Sequence, residues 1–413
     1  MGHEVVCFAP YVDKDGCFPD YPEMQEIKNL LPPPPIRLPF RHTICVLACC
    51  VLAPIVAPRF ARFDVLFAAN QPAPWIAYVL SKLLRKPYVI YLAQPFRLLH
   101  PRNIDLSHGL RIRDGDQSFV KFVCQIGRPF IDWADRMSVG SSSAVLTNGS
   151  NASRWIADIY GCLTINCPAG CHPTDTVSSS NSSRWKGCSL LGKSSIAKRF
   201  LLVTNRHAPH KRFVYALWAL KRIRKEWPGV SLVISGQETA YTDQLKYLAG
   251  SLGLETSVHF VGLANEVDLR ILCEEGAVYL YPVPEEDFGM GIVEAMSAGT
   301  PVVAWNNAGP TVIVQHGKTG YLVEPFDTDE FAGRILTLLR NRELNRALGE
   351  SAHAVAKRSF SYDRHNRLIL EVLASVARNG FRNLQKLPQF SDGELVLHFE
   401  PSQAEVESNP PRC

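Results

Sequence analysis

The chain has 413 residues, of which 46% are hydrophobic and 20% are charged. This length suggests two domains, and this composition excludes a disordered protein. The formal net charge is only +5, no segment reaches the length of a membrane-spanning helix, and we expect no nucleic acid among the partners.

Basic residues are concentrated between Ile27 and Phe130, where 14 Lys or Arg stand against 4 Asp or Glu. Such an excess suits an anionic partner, either a phospholipid surface or a lipid-phosphate acceptor, but it equally suits a solvated basic face. The apolar stretch Ile44 to Ala57 is short and contains Pro54, which favours a buried or interfacial segment over a membrane span.

Twelve cysteines in a chain of this length do not indicate a disulfide framework. Adjacent Cys49 and Cys50 in an apolar run are typical of buried thiols in a reducing compartment, so we expect a cytoplasmic protein, peripheral to a membrane if the basic stretch binds lipid. Cys162, Cys167 and Cys171 lack the spacing of a zinc site, and no metal or cofactor is predicted.

Residues 1–172 predict a Rossmann-like domain, because short apolar runs alternate with helical spacing. The predicted strands are Glu4–Ala9, Val65–Ala68, Tyr88–Leu92 and Ala144–Thr147. The predicted helices are Pro74–Leu84, Phe119–Trp133 and Ala152–Tyr160. Asn148 is a candidate cap for the last of these helices.

A second alternating region follows a Ser-rich stretch at 173–198, which we interpret as a linker. Residues 199–360 predict a doubly wound α/β domain with strands near Leu201–Val203, Ser231–Ser235, Val258–Phe260, Val278–Tyr281 and Val302–Ala304. We predict that residues 361–379 form a C-terminal helix crossing back to the first domain. Residues 380–413 predict a disordered tail.

The strongest motif follows the predicted strand Val278–Tyr281 and opens a helix. Glu286 lies on the loop and Glu294 on the helix, with Gly289 and Gly291 between them. Glycines let a backbone approach a ligand, and helix N-terminal amides favour an anion. Alone, the spacing is equally compatible with two solvated glutamates near a helix start.

Two cations, Arg206 and Lys211, lie five residues apart directly after the predicted strand Leu201–Val203. Fixed cations at a strand end suit a diphosphate and can stabilise a departing nucleotide diphosphate. The alternative is a basic surface loop, since four more cations follow between Lys221 and Lys225.

Together these features resemble the GT-B glycosyltransferases of family 4. Family members carry a Glu-x7-Glu motif, matched by Glu286 and Glu294, and a cation pair, matched by Arg206 and Lys211. The runs Ser297–Ala304, Gly317–Val323 and Pro168–Gly170 also look like family sequence.

The resemblance implies two Rossmann-like domains and a retaining transferase that moves a hexose from a UDP- or GDP-linked sugar to an alcohol acceptor. Glu286, Arg206 and Lys211 would be catalytic, and Glu294 would bind the ribose. The other implied donor contacts are Gly236, Phe288, Gly289, Met290, Gly291 and Ile292. The triplet Asp114–Asp116 has the form of a metal-binding motif but lies in the wrong domain for the donor.

The first domain departs from the family pattern. Met1–Val6 already looks like the second strand, so the first strand and its glycine loop are expected to be missing. Ala93 stands where many relatives place an acceptor-side histidine, and Gln94 and Arg97 are the remaining acceptor-side candidates. These departures leave open a second hypothesis, a catalytically impaired remnant that binds a nucleotide sugar or a partner.

Overall fold

A computed structural model of the chain describes residues 3–12, 27–32, 41–97, 99–104, 117–171 and 199–379, and it describes no side chains at 41–43 and 117–126. The predicted linker at 173–198, the predicted tail at 380–413 and the triplet Asp114–Asp116 lie outside these residues. Within them, no helix combines the length and the apolar character needed to cross a bilayer.

The first half of the chain forms parallel strands alternating with helices. Its strands are β1 (Cys7–Ala9), β2 (Ile27–Asn29), β3 (Leu66–Ala69), β4 (Tyr88–Leu92), β5 (Ala144–Thr147) and β6 (Ile165–Asn166). Its helices are α1 (Arg41–Val51), α2 (Ala53–Val56), α3 (Ala73–Leu84), α4 (Gln117–Gly140) and α5 (Ser150–Tyr160), and Ala57–Phe60 is a 3-10 turn. β1 pairs with β2, and a separate parallel sheet has the order β3-β4-β5-β6.

The expected cap of α5 is wrong. The helix begins at Ser150, two residues earlier than predicted, so Gly149 occupies the N-cap position with a φ of 91°. The Asn148 side chain instead accepts the backbone N–H of Ala169 at 2.8 Å. Asn148 therefore stabilises the chain segment that leaves this domain.

The second half forms a six-stranded parallel sheet. Its strands are β7 (Phe200–Thr204), β8 (Ser231–Ser235), β9 (Val258–Gly262), β10 (Gly276–Tyr281), β11 (Val302–Trp305) and β12 (Gly320–Val323). Its helices are α6 (Phe213–Glu226), α7 (Ala240–Ser251), α8 (Glu266–Glu275), α9 (Met290–Ser297), α10 (Pro310–Ile313), α11 (Thr328–Arg340) and α12 (Arg342–Ser359), and Pro209–Lys211 is a 3-10 turn. The order β12-β11-β10-β7-β8-β9 reverses direction between β7 and β10, which is doubly wound topology.

Both faces of this second sheet are buried. Along β10, Val278 and Leu280 join one apolar core, while Tyr279 and Tyr281 join the other. Side chains on a strand alternate between faces, so a strand covered on both sides has an almost continuous apolar sequence. This explains why the strands of this sheet can be predicted from short apolar runs in the sequence.

The last helix, α13 (Tyr362–Asn379), packs against the sheet of the first half. Val372 and Val376 are buried with residues of β4 and β5, including Val89 and Leu146. The chain reaches this sheet through an isolated parallel bridge between Cys171 and Ser361. The two halves of the molecule are therefore joined by two neighbouring passages of the chain.

Helix α9 lies unusually close to the sheet at Gly291. A Cβ atom added there would lie 2.1 Å from the hydroxyl oxygen of Tyr279 and 3.1 Å from Oγ1 of Thr204. These two hydroxyls are buried and hydrogen-bonded to each other at 2.6 Å. Only a residue without a side chain lets the start of α9 contact the ends of β7 and β10.

We therefore expect Gly291→Ala to destabilise the protein, because Tyr279 must move and its hydrogen bond must break. Overpacking of a core costs about 1–3 kcal/mol. The matched control is Gly333→Ala on the exposed side of α11, where an added Cβ meets nothing within 4 Å. There the higher helix propensity of alanine should stabilise by up to about 1 kcal/mol.

The measurement is the free energy of unfolding in urea for both variants. Equal unfolding energies for Gly291→Ala and Gly333→Ala would contradict the steric account of Gly291.

Candidate active site

The candidate site lies at the carboxyl ends of β7 and β10, where the strand order of the second sheet reverses. At such a point the loops after neighbouring strands leave in opposite directions and open a crevice. The loop after β7 carries Arg206 and Lys211, and the loop after β10 carries Glu286. The structure thus brings together the two motifs, which are separated by about 80 residues in sequence.

Glu286 and Lys211 form an ion pair across this crevice, with Lys211 Nζ donating to Glu286 Oε2. Their side chains are only 16% and 15% exposed. Burial alone would raise the pKa of Glu286, but the Lys211 ammonium, the Arg102 guanidinium and the Tyr281 hydroxyl, which donates to the carboxylate, hold this pKa below its ordinary value. Glu286 is therefore ionised at neutral pH and is a hydrogen-bond acceptor.

Arg206 is exposed on the same loop as Lys211. Its guanidinium has no hydrogen-bond or ion-pair partner among the residues that the structure describes. The backbone before it is fixed by Gly236 at the end of β8, where a Cβ atom would lie 1.8 Å from the carbonyl oxygen of Asn205. Gly236, at a φ of 147°, is therefore required for the position of the Arg206 loop.

The loop between Glu286 and α9 is shaped by glycines. Gly289 is the N-cap of α9 with a φ of 113°. The Gly309 N–H donates to the carbonyl oxygen of Glu286 at 2.7 Å, and a Cβ atom at Gly309 would lie 2.2 Å from the Phe288 oxygen. The amides of Met290 and Gly291 begin α9, and the first amides of a helix lack intrahelical partners.

Two of the predicted donor contacts point their side chains away from the crevice. Ile292 is fully buried in the core below α9, and Phe288 is buried against Phe360 and the Gly149 backbone of the first half. A ligand can meet these residues only through their backbone. Met290, by contrast, is 36% exposed.

Glu294 lies one turn into α9 and is partly buried. Burial raises the pKa of Glu294, and the nearby Glu266 carboxylate raises it further. No described side chain forms an ion pair or hydrogen bond with its carboxyl group. Glu294 thus differs from Glu286, whose charge is balanced within the protein.

The two acceptor-side candidates follow β4. Gln94 is exposed, and its Oε1 accepts from Arg97 Nε at 3.3 Å. The Arg97 guanidinium lies 4.5 Å from the centre of the Trp155 ring and forms an ion pair with Asp287 of the second half. Arg97 therefore reaches the loop of Glu286 but is already bound to a carboxylate there.

Sequence reasoning missed Asp287 and Arg102, which form a second pair with a distance of 3.5 Å between Nη1 and Oδ2. Asp287 is next to Glu286 in the motif, but no residue pattern indicates which carboxylate faces which cation. Arg102 is one of many cations in a basic stretch, and nothing in the surrounding sequence distinguishes it from the others.

The comparison with protein families identifies the second half of the chain. Residues 193–355 match the model of the family described as Glycosyl transferases group 1. The matched segment contains both candidate motifs, from Arg206 to Glu294.

Two of the curated relatives that the chain resembles are named mannosyltransferases. The chain is 27% identical to human alpha-1,3/1,6-mannosyltransferase ALG2 over 254 residues, which are 58% of this chain and 60% of the human protein. It is 30% identical over 230 residues to the phosphatidyl-myo-inositol mannosyltransferase of Mycobacterium leprae, across 55% of this chain and 58% of that protein. The chain thus spans less than two thirds of the length of these relatives.

Solved structures agree over a larger part of the molecule. Anabaena Alr3699/HepE, crystallised in complex with UDP and glucose, aligns with 86% of this chain and 88% of its own, at a TM-score of 0.63 and 22% identity. A glycosyltransferase from Rickettsia africae aligns with 92% of this chain and 91% of its own, at a TM-score of 0.69 and 16% identity. Similarity at this level of identity establishes the fold, and it confirms the predicted two-domain α/β architecture. The chain has the GT-B fold, and its residues 193–355 form a domain of the glycosyl transferases group 1 family.

Proposed function

We propose that the protein is a retaining glycosyltransferase that moves a hexose from a UDP- or GDP-linked sugar to an alcohol acceptor. The observation that carries the proposal is the Lys211–Glu286 pair beside the unpaired Arg206, at the point where the strand order reverses. The relatives named as glycosyltransferases and mannosyltransferases support the reaction class, and Anabaena Alr3699/HepE with bound UDP supports the donor class.

The donor diphosphate would lie between the cation loop and the start of α9. Arg206 supplies a free guanidinium, Lys211 an ammonium, and Met290 and Gly291 supply helix N-terminal amides. This positive charge would stabilise the nucleotide diphosphate as it leaves the anomeric carbon. The proposed reaction needs no cofactor, because side chains and amides provide this charge.

The two glutamates would bind the two sugars of the donor. Glu286 is ionised and held in place by Lys211 and Tyr281, so it would accept hydrogen bonds from hydroxyls of the hexose. Glu294 lacks a described partner and would accept from the ribose hydroxyls. Glu294 is an acceptor that no described group satisfies, and Glu286 is an ionised acceptor held in place by its partners; hydroxyl groups of a substrate can donate to both on binding.

The acceptor hydroxyl would attack the anomeric carbon on the face that the leaving diphosphate vacates, which retains configuration. The bond from that carbon to the diphosphate oxygen would break, and the hydroxyl proton would pass to the leaving diphosphate. Catalysis would then depend on positioning and electrostatic stabilisation. Mannose is the first hexose to test, because two relatives are named mannosyltransferases.

We expect Lys211→Ala and Glu286→Gln each to reduce transfer by about a hundredfold or more, as loss of one transition-state contact does in comparable sites. Transfer is measured with radiolabelled UDP-glucose, UDP-GlcNAc and GDP-mannose and a panel of lipid and soluble alcohols. The control is Lys225→Ala, an exposed lysine on α6. Full activity of either site variant would contradict the proposal. Donor binding without transfer by the wild-type chain would favour the remnant hypothesis.

The pH dependence of Glu286 offers a separate prediction. The lowered pKa of Glu286 means that its ionised form stabilises the fold above its ordinary pKa, and that this stabilisation disappears as the pH falls through the lowered pKa. In Lys211→Met, burial acts without the compensating ammonium, so the pKa of Glu286 should rise and the stabilisation that is lost on acidification should become smaller. Carboxyl 13C chemical shifts, assigned with Glu286→Gln, measure this directly. An unchanged titration of Glu286 in Lys211→Met would contradict the assigned cause.

We also propose that the first domain binds an anionic phospholipid surface. Exposed apolar residues follow one face from α1 into α2, at the positions Ile44, Leu47, Val51 and Ile55. Val51 and Ile55 are 79% and 74% exposed. A contiguous exposed apolar stripe is unusual for a protein surface in water and typical of an interaction site.

The excess of cations in the same part of the chain favours an anionic lipid as the partner. Among the described side chains between residues 27 and 92, the exposed cations are Lys28, Arg59, Arg62, Lys82 and Arg85, whereas Asp64 is the only acidic residue. Of these cations, Arg62 is paired with Glu4. Each cation near an anionic bilayer contributes about 1 kcal/mol of attraction. The stripe and the cations together predict that the protein binds the surface of a membrane. At that surface it would reach an acceptor that is itself lipid-linked.

The double variant Val51→Asp/Ile55→Asp should therefore bind vesicles of phosphatidylglycerol and phosphatidylcholine at least about tenfold more weakly, since burial of each of these apolar side chains contributes about 1.5–3 kcal/mol. Co-sedimentation measures the binding. Tyr247→Asp, which changes an 80% exposed residue of the second domain, is the control. Equal vesicle binding by the double variant and the control would contradict the lipid surface.

A further inference from the structure

We infer that Asp287 is a positioning residue that holds the donor-binding loop against the first domain. This inference rests on the proposed function of that loop. Asp287 immediately follows Glu286, yet the two side chains have different partners. Glu286 binds Lys211 within the second domain, whereas Asp287 binds two arginines of the first.

The contacts of Asp287 form a buried cluster between the domains. Arg97 donates to Asp287 Oδ1, and Arg102 Nη1 lies 3.5 Å from Oδ2. The side chains of both arginines are 13% exposed and that of Asp287 is 11% exposed. The two carboxylate oxygens thus face one cation each, in a place that excludes most water.

Glu285 extends the same contact by two further hydrogen bonds. Its carbonyl oxygen accepts from Arg102 Nη1 at 3.0 Å, and its Oε2 accepts from the backbone N–H of Ile104 at 3.1 Å. Glu285 has a φ of 53°, a conformation that is uncommon for a residue with a side chain. We name Arg97, Arg102, Glu285 and Asp287 the interdomain latch.

The first domain fixes the position of the latch arginines. Arg97 stacks over Trp155, binds Gln94, and donates to the carbonyl oxygen of His100 at 3.5 Å. The guanidinium is therefore oriented by its own domain before it meets Asp287. The loop that meets this guanidinium turns at two residues of positive φ, Glu285 and Gly289.

The latch connects the contact between the domains with the shape of the donor site. If the domains separate, the Asp287 carboxylate and both guanidiniums become solvated, and residues 285–287 lose four polar contacts. Removal of one partner from a buried charge pair leaves the other charge uncompensated, which is costly. Glu286 lies between Glu285 and Asp287, which both contact the first domain. Its position therefore depends on the first domain.

The test combines hydrogen exchange with donor binding, using Asp287→Asn, Arg97→Gln, the double variant of both, and Asp287→Glu in the full chain. The matched control is Asp329→Asn. It removes an exposed ion pair at 2.5 Å with Arg222, between helices α11 and α6 of the second domain. Amide exchange of residues 99–104 and 285–289 is measured without ligand. Affinity for UDP-glucose and GDP-mannose is measured by calorimetry, and KM and kcat are measured for whichever donor is used.

We expect Asp287→Asn to accelerate exchange of both segments by about tenfold or more, as does Arg97→Gln, with no change in α6. The double variant should be little worse than either single variant, because residues of one charge pair are not additive. Donor KM should rise about tenfold, and Asp287→Glu should recover part of the loss. Asp329→Asn should leave all values unchanged.

Two outcomes would contradict the proposed role of the latch. One is an amide exchange rate in Asp287→Asn equal to that of the wild-type protein, and the other is fully additive effects of Asp287→Asn and Arg97→Gln. If Asp287→Asn does not fold, Arg97→Gln provides the same comparison from the other side of the ion pair. A wild-type chain that binds no nucleotide sugar would refute the proposed function instead. The exchange experiment would still test whether Asp287 holds its loop against the first domain.

Discussion

The arrangement of the candidate site depends on one ion pair, between Lys211 and Glu286, at the place where the doubly wound sheet reverses its strand order. Parallel strands bring their carboxyl ends to one edge, so loops far apart in sequence meet there without further design. Burial makes an unpaired carboxylate costly, and the ammonium removes that cost. The pair keeps Glu286 charged and leaves Arg206 free, so the crevice has both an acceptor and a donor for a ligand that carries hydroxyls and phosphates.

Glycines supply the second constraint on this crevice. Gly236 lets the loop of Arg206 approach the end of β8, and Gly291 lets α9 approach the buried hydroxyls of Tyr279 and Thr204. In both places a side chain would collide with backbone or with a buried polar group. The glycines of the motif therefore position the amides and cations and do not merely make the loop flexible.

The sequence predicted much of this architecture, since strands buried on both faces are continuous apolar runs. Tyr88–Leu92, Ala144–Thr147 and Ser231–Ser235 were located to the residue. β12 was not predicted as a strand, because Gly320–Val323 is short and begins with a glycine. The pattern predicts Asn148 as a cap because it places the helix start two residues too late, and helix boundaries are the least certain part of such a prediction. The motif residues were found by spacing, but the pairing of Asp287 with Arg97 depends on how two domains meet, which no local pattern contains.

The double passage of the chain between the domains has a mechanical consequence. The chain crosses from the first domain between Cys167 and Cys171 and returns at Ser361, and Cys171 and Ser361 pair side by side. Two adjacent covalent connections resist twisting and sliding far more than bending about the line on which they lie. Bending about that line is therefore the interdomain motion that the two connections oppose least.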